Sequence, residues 1–140
     1  MFERILTVCD GNICRSPTAA FLLAARSGKQ VDSAGLVGLT GHDMDAVARE
    51  VASAHGVDCP VHVARKLSDE MCRTADLILV MELRQKDRVM ALAPAASGKV
   101  MLLGHWLGEE IPDPYKKHRD VYEHAYALID RAVDSWLPKL

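Results

Sequence analysis

The 140-residue chain has no dominant sign of charge: 17 Lys and Arg stand against 19 Asp and Glu, a net −2 with histidine neutral. Without a strong field, neither nucleic acid nor a membrane surface is an expected partner. Long apolar runs are missing as well. Leu77–Met81, among the longest, is far too short to span a bilayer, so no membrane insertion is expected. Met1-Phe2-Glu3-Arg4 leads straight into an apolar segment, with no basic start and no small-residue cleavage site. A cytoplasmic protein is therefore expected. No Cys-x-x-Cys pair occurs, which weakens zinc-ribbon and thioredoxin-like readings; Cys9, Cys14, Cys59 and Cys72 read as thiols. No Gly-x4-Gly-Lys-Ser/Thr loop exists, because Gly28-Lys29 and Gly98-Lys99 lack both spacing and hydroxyl, and this excludes the usual nucleotide loop. No repeat, linker or low-complexity tract divides the chain, so residues 1–140 are expected to form one domain.

What is present is ordinary globular material, 49% apolar and 26% charged. Ile5-Leu6-Thr7-Val8 reads as a buried strand. Ser16-Pro17-Thr18 offers an N-cap with proline at the first helical position, followed by a helix-forming run from Ala19 to Ala25 and a stop at Gly28. Val31-Asp32-Ser33 predicts a second strand. Asp43 or Asp45 caps a helix running to His55, and Ser68-Asp69-Glu70 opens a short one. Leu77–Met81 is a strand buried on both faces, Arg84–Leu92 a helix, and Val100–Leu103 the last strand. Val121, Ala125, Leu128, Ile129, Ala132 and Trp136 mark one stripe of a long C-terminal helix. Strands alternating with helices predict an α/β fold, a central four-stranded parallel sheet with helices on both faces. Ligands bind at the carboxyl ends of such strands, which directs attention to the turn after Val8.

That turn is Cys9-Asp10-Gly11-Asn12-Ile13-Cys14-Arg15-Ser16. It leaves a strand and enters a helix, so its N–H groups can converge with the positive end of the helix on one anion, above all a phosphate. Gly11 and Asn12 tolerate the left-handed backbone that such a loop needs. Arg15 supplies a planar fork for two phosphate oxygens. Cys9 lies at the mouth of the same field, which favours thiolate over thiol, and Ser16 can hydrogen-bond the sulfur. The pattern Cys-x5-Arg-Ser/Thr is expected by chance only about 0.02 times in this composition. No metal is needed, since Arg15 and the amides supply the positive charge, and the spacing of His42, His55, His105, His118 and His124 suggests no metal site.

Cys9 to Pro17 resembles the phosphate loop of the low-molecular-weight protein tyrosine phosphatases. The likeness extends over nearly the whole chain: Ser33-Ala34-Gly35, His62-x-Ala64-Arg65, Asp76 to Met81 and Asp113-Pro114-Tyr115 match segments of that family. Leu103-Gly104-His105-Trp106 and Ile111–Tyr115 read as in bacterial members paired with exopolysaccharide or capsule tyrosine kinases. The resemblance implies hydrolysis of protein phosphotyrosine through a phosphocysteine on Cys9, without a cofactor. Arg15 and the loop amides would hold the phosphate, and Asp113 would act as general acid and then as base. It implies that Asn12, Ser33 and His62 hold the loop, that Leu39 and Tyr115 wall the phenyl slot, and that Cys14 forms a reversible disulfide with oxidised Cys9. The implied partner is a phosphotyrosine protein, a bacterial tyrosine autokinase with a phosphorylated tail, and a monomer is expected.

Two features depart from the family. Asp10 stands where an apolar or small residue is usual, and its charge is expected to oppose a dianion, so that Asp10→Val should lower KM. Only one tyrosine follows Asp113-Pro114, with Lys116-Lys117-His118-Arg119 after it, a solvated helix start or a docking patch for a phosphorylated tail. A thiol-dependent arsenate reductase is the enzyme alternative, but Glu82–Leu92 lacks the relay cysteines. A silent phosphate-binding domain is the other, and it would be expected to lack Cys9, Arg15 or Asp113.

Overall fold

In the computed structural model, which covers residues 1–140, four strands pair in parallel. They are β1 (Arg4–Cys9), β2 (Gln30–Gly35), β3 (Leu77–Val80) and β4 (Val100–Leu102), in the order β2-β1-β3-β4. The expected α/β architecture is thus found. Leu-Ile-Leu-Val of β3 is buried along its whole length because helices cover both faces. Side chains alternate across the sheet. Ile5, Leu77 and Leu79 join the core beneath α1 (Arg15–Ser27), α2 (Ala46–Ala54) and α5 (Arg119–Trp136). Leu6, Val8, Ile78 and Val80 pack with Cys72 of α3 (Asp69–Thr74) and Val89 of α4 (Leu83–Leu92). No helix is long and apolar enough to cross a membrane.

The helix ends follow local chemistry. Gly28 closes α1 in the left-handed conformation, where a Cβ is disfavoured. The Asp45 carboxylate accepts from Ala48 N–H to start α2, and Ser68 Oγ accepts from Met71 N–H to start α3. Glu82 and Gln85 form a reciprocal capping box at α4. Two expectations need correction. Ser16 is not an N-cap: α1 begins at Arg15 after Cys14 with no side-chain cap, because the Ser16 hydroxyl is engaged by the preceding loop. On α5 the buried stripe starts at Tyr122 rather than Val121, which is only half-buried. Tyr122 is the residue at i−3, i−4 and i−7 from Ala125, Tyr126 and Ile129, all buried.

The carboxyl ends of β1, β2 and β3 all open on one side of the sheet. The loops that leave them there, together with residues 103–118, build the site.

Candidate active site

The loop after β1 is shaped by where its carbonyls go. Cys9 O accepts from Leu36 N–H (2.9 Å), Asp10 O from the N–H groups of Val37 and Gly38 (both 3.0 Å), Gly11 O from Leu39 N–H (2.9 Å) and Ile13 O from Asp45 N–H (2.8 Å). Asn12 O lies 2.7 Å from His62 Nε2, which must be the protonated nitrogen because a carbonyl only accepts. Five successive carbonyls are therefore tied to the segment 36–62 around the loop. In a planar trans peptide the N–H points opposite to the C=O. The amides that follow these carbonyls accordingly converge on the other side, above Cys9, where they meet the start of α1. The backbone of β2 passes so close beneath that a Cβ on Gly35 would lie 2.6 Å from Asp10 O and 2.9 Å from Asn12 N. Only glycine fits there.

Asn12 holds the centre. It is fully buried, with φ +61. The N–H of Arg65 donates to its Oδ1 (3.0 Å), which fixes the amide orientation. Its Nδ2 then donates to Ser33 Oγ (2.9 Å) and Ser16 Oγ (2.8 Å). The same Ser16 hydroxyl is hydrogen-bonded with Cys9 Sγ, 2.9 Å away. A continuous hydrogen-bonded chain thus runs from the Arg65 backbone through Asn12 and Ser16 to the sulfur. Cys9 itself is buried.

Arg15 is 2% exposed, yet three carboxylates surround it. Its Nη1 donates to Glu82 Oε2 (3.0 Å) and Ile111 O (2.8 Å). Nη2 lies 3.5 Å from Asp10 Oδ2 and 3.9 Å from Asp113 Oδ2. Nη1 is fully engaged, so the Nε–Nη2 edge is the one left for a ligand. Asp10 is not a loose charge: Arg84 grips it at 2.5 and 3.2 Å and Gln85 Nε2 at 3.0 Å. Burial alone would raise its pKa, but the hydrogen bonds from Arg84 and Gln85 and the charges of Arg84 and Arg15 outweigh that and hold the carboxyl below the ordinary value.

The remaining expected residues fall as follows. Leu39 and Tyr115 line one pocket with Cys9, Asp10, Arg15 and Asp113, joined by Val37 and Ile13. Asp113 is 43% exposed; its Oδ1 accepts from Tyr115 N–H (3.1 Å), which leaves Oδ2 toward the pocket. Cys14 is buried, and burial, then the charges of Asp45, Cys9 and Asp113, push its thiol far up. It is a free thiol, as are Cys9, Cys59 and Cys72. The basic run is partly matched: Arg119 pairs with Glu50 (3.2 Å), His118 stands beside Asp120, and Lys116 Nζ lies over the Tyr115 ring.

Sequence reasoning missed Glu82, Arg84, Gln85, Asp43 and Tyr122; Arg65 stood in the supporting segment His62-x-Ala64-Arg65, without a role of its own. Glu82-x-x-Gln85 is legible as a helix start, but no local signal aims it at Arg15, 67 residues earlier. Asp43 accepts from His62 N–H (2.9 Å) and from both Arg49 Nη atoms, and so braces the histidine that holds Asn12 O.

A strand-to-helix loop that carries a buried cysteine, with its carbonyls tied outward and a buried arginine behind it, has the form of an anion site on an α/β sheet. Residues 4–140 match the family model described as low molecular weight phosphotyrosine protein phosphatase, and the chain belongs to that family of enzymes. It is 50% identical to the low molecular weight protein-tyrosine-phosphatase Etp of Escherichia coli K12, over 99% of this chain and 95% of that protein. The crystal structure of the Erwinia amylovora tyrosine phosphatase AmsI superposes with a TM-score of 0.97 at 46% identity, covering 100% of this chain and 94% of the other. Vibrio vulnificus Wzb in complex with benzylphosphonate gives 0.97 at 43% identity, with both chains covered completely.

Proposed function

We propose that the enzyme hydrolyses protein phosphotyrosine through a phosphocysteine on Cys9. The observation that carries this is the outward anchoring of five loop carbonyls, from Cys9 to Ile13, which turns the amides inward around the sulfur. The Cys9 thiolate attacks phosphorus, the S–P bond forms, and the P–O bond to the phenol breaks. Asp113 Oδ2 delivers a proton to the departing oxygen. The amides and the Nε–Nη2 edge of Arg15 hold the equatorial oxygens as their charge rises. In the second step Asp113, now a carboxylate, takes a proton from water as that water attacks phosphorus. Cys9 then leaves as thiolate, stabilised by the Ser16 hydroxyl, and inorganic phosphate is released. Nothing in these steps calls for a metal or cofactor.

The wall of Leu39, Val37 and Tyr115 suits an aryl ring above a deep phosphate, which favours phosphotyrosine over the shorter phosphoserine. That Vibrio vulnificus Wzb takes benzylphosphonate supports an aryl-bearing ligand here. The physiological substrate in this reading is the phosphorylated tail of a bacterial tyrosine autokinase governing exopolysaccharide or capsule production, met in the cytoplasm. Cys14 acts as the resolving thiol when peroxide oxidises Cys9: the Cys9 sulfenic acid and the Cys14 thiol condense to a disulfide and water.

The test is phosphate release from a phosphotyrosine peptide, under reducing conditions with chelator present. Activity in wild type, abolished in Cys9→Ser and strongly reduced in Asp113→Asn, is the expected result. An inactive, folded wild type overturns the reading and leaves a phosphate-binding domain.

A further inference from the structure

The loop carrying Asp113 is much less constrained than the loop carrying Cys9, and one buried hydroxyl holds it. Residues Pro114 to Lys117 form a turn closed by Lys117 N–H to Pro114 O at 2.9 Å. Its third residue, Lys116, has φ +59, a left-handed conformation that a side chain with a Cβ disfavours. No glycine relieves it. The N–H of that residue donates to Tyr122 Oη at 3.3 Å. Tyr122 is buried on the first turn of α5 and shares a narrow crevice with Cys14, Arg15, Thr18 and Pro114. Burial, with Asp45 beside it, pushes the Tyr122 phenol up to about 12, so it stays a neutral O–H at any working pH. The hydroxyl oxygen accepts the Lys116 N–H.

Resting on the phosphatase reading, we propose that Tyr122 is a positioning residue for the general acid. Its hydroxyl holds Lys116 in the left-handed turn, and its ring, beside Pro114, Cys14 and Arg15, sets the Asp113 loop against the start of α1. Asp113 Oδ2 is thereby kept facing the pocket beside Arg15. Tyr122 touches no reacting atom; it acts through Asp113.

The experiment compares Tyr122→Phe with wild type on two aryl phosphates, reading kcat/KM, which reports the phosphorylation step. p-Nitrophenyl phosphate has a leaving group that departs without much help, and phenyl phosphate has one that needs the proton. The expected result is a fall of about fivefold or more on phenyl phosphate and less than about twofold on p-nitrophenyl phosphate. In an Asp113→Asn background, Tyr122→Phe should produce no further loss on phenyl phosphate, because the two changes then remove the same contribution. Equal losses on both substrates, additive losses in the double variant, or no loss at all would overturn the positioning reading while leaving the phosphatase reading intact. An inactive wild type would instead overturn the phosphatase reading itself.

Discussion

The two halves of the site are built in opposite ways. The nucleophile loop is buried and over-determined: five carbonyls, one asparagine side chain and one serine hydroxyl each have a fixed partner, and Arg15 is clamped at Nη1. The acid loop is more open, with the Asp113 side chain 43% and Tyr115 37% exposed; beyond Ile111, which Arg15 and Met81 hold, it is fixed by one turn and one tyrosine hydroxyl. In the proposed mechanism the difference follows from what each must do. A cradle for developing charge gains most when its dipoles need no reorganisation. A proton donor must admit a bulky substrate before it closes on the leaving oxygen, and that requires a segment of low local stability.

The sharpest way to break this division is to change one member of each half. Lysine in place of Arg15 offers a point charge that cannot hold Glu82, Ile111 O and a phosphate together. Arg15→Lys should lower kcat/KM by about 10³-fold on every aryl phosphate alike. Asp113→Asn should cost about 10²-fold on poor leaving groups and far less on good ones. A series of substituted phenyl phosphates checks both, and a leaving-group dependence in Arg15→Lys would dissolve the division.

The second test concerns rigidity. Asn12→Ala removes partners from Ser16, Ser33 and Arg65 N–H at a buried position and places a Cβ-bearing residue without a compensating side chain at φ +61. A loss of about 3 kcal/mol is expected, and thermal melting should fall by roughly 10 °C. Lys116→Ala, in the other half, should leave melting within about 2 °C, since its side chain holds no buried partner. Equal shifts would mean that the acid loop is as much a part of the folding unit as the cradle.

Legibility in the sequence divides along the same line. Strands, helices and their caps came from local patterns, and Cys9–Ser16 was readable because a contiguous strand-to-helix turn carries the whole anion site. Asp113 was readable only through the family likeness, because Asp-Pro by itself is ordinary turn chemistry. The bracing residues stayed hidden for a physical reason. Glu82 and Arg84 reach the loop across 67 and 74 positions of chain, through hydrogen bonds with no periodicity of their own. Ser16 shows the converse error, in which a good capping residue serves tertiary hydrogen bonds because those lie buried beside a sulfur.

Asp10 shows where charge counting misleads. From sequence it stands as a charge against the substrate; in the fold Arg84 and Gln85 already match it. Asp10→Val should therefore give no lowering of KM, since Gln85 loses a partner and Arg84 its anchor. Arg84→Ala is the change that unmasks the carboxylate. It should raise KM for aryl phosphates by about three- to tenfold at low salt, with a smaller effect at high salt. Adding Asp10→Asn to Arg84→Ala should restore KM. If Asp10→Val alone lowers KM, the pairing does not neutralise Asp10 in solution.

The smallest expected effect lies one layer further out, at Asp43. Hydrogen bonds from Arg49, then from the N–H groups of His62 and Met44, hold its carboxyl far below the ordinary range of an aspartate. A carboxyl lowered on folding stabilises the native state above its unfolded pKa, and that contribution disappears as pH falls through the folded pKa. Asp43 is exposed, so solvent screens the pair and the whole effect is modest. In Asp43→Asn the melting temperature at neutral pH should fall by a few degrees at most. Between about pH 4 and pH 2 the variant should lose stability less steeply than wild type, so the two curves converge in acid. Melting curves across that range decide it. Parallel curves would mean that Asp43 does not titrate with folding, and that His62 holds Asn12 O without this brace.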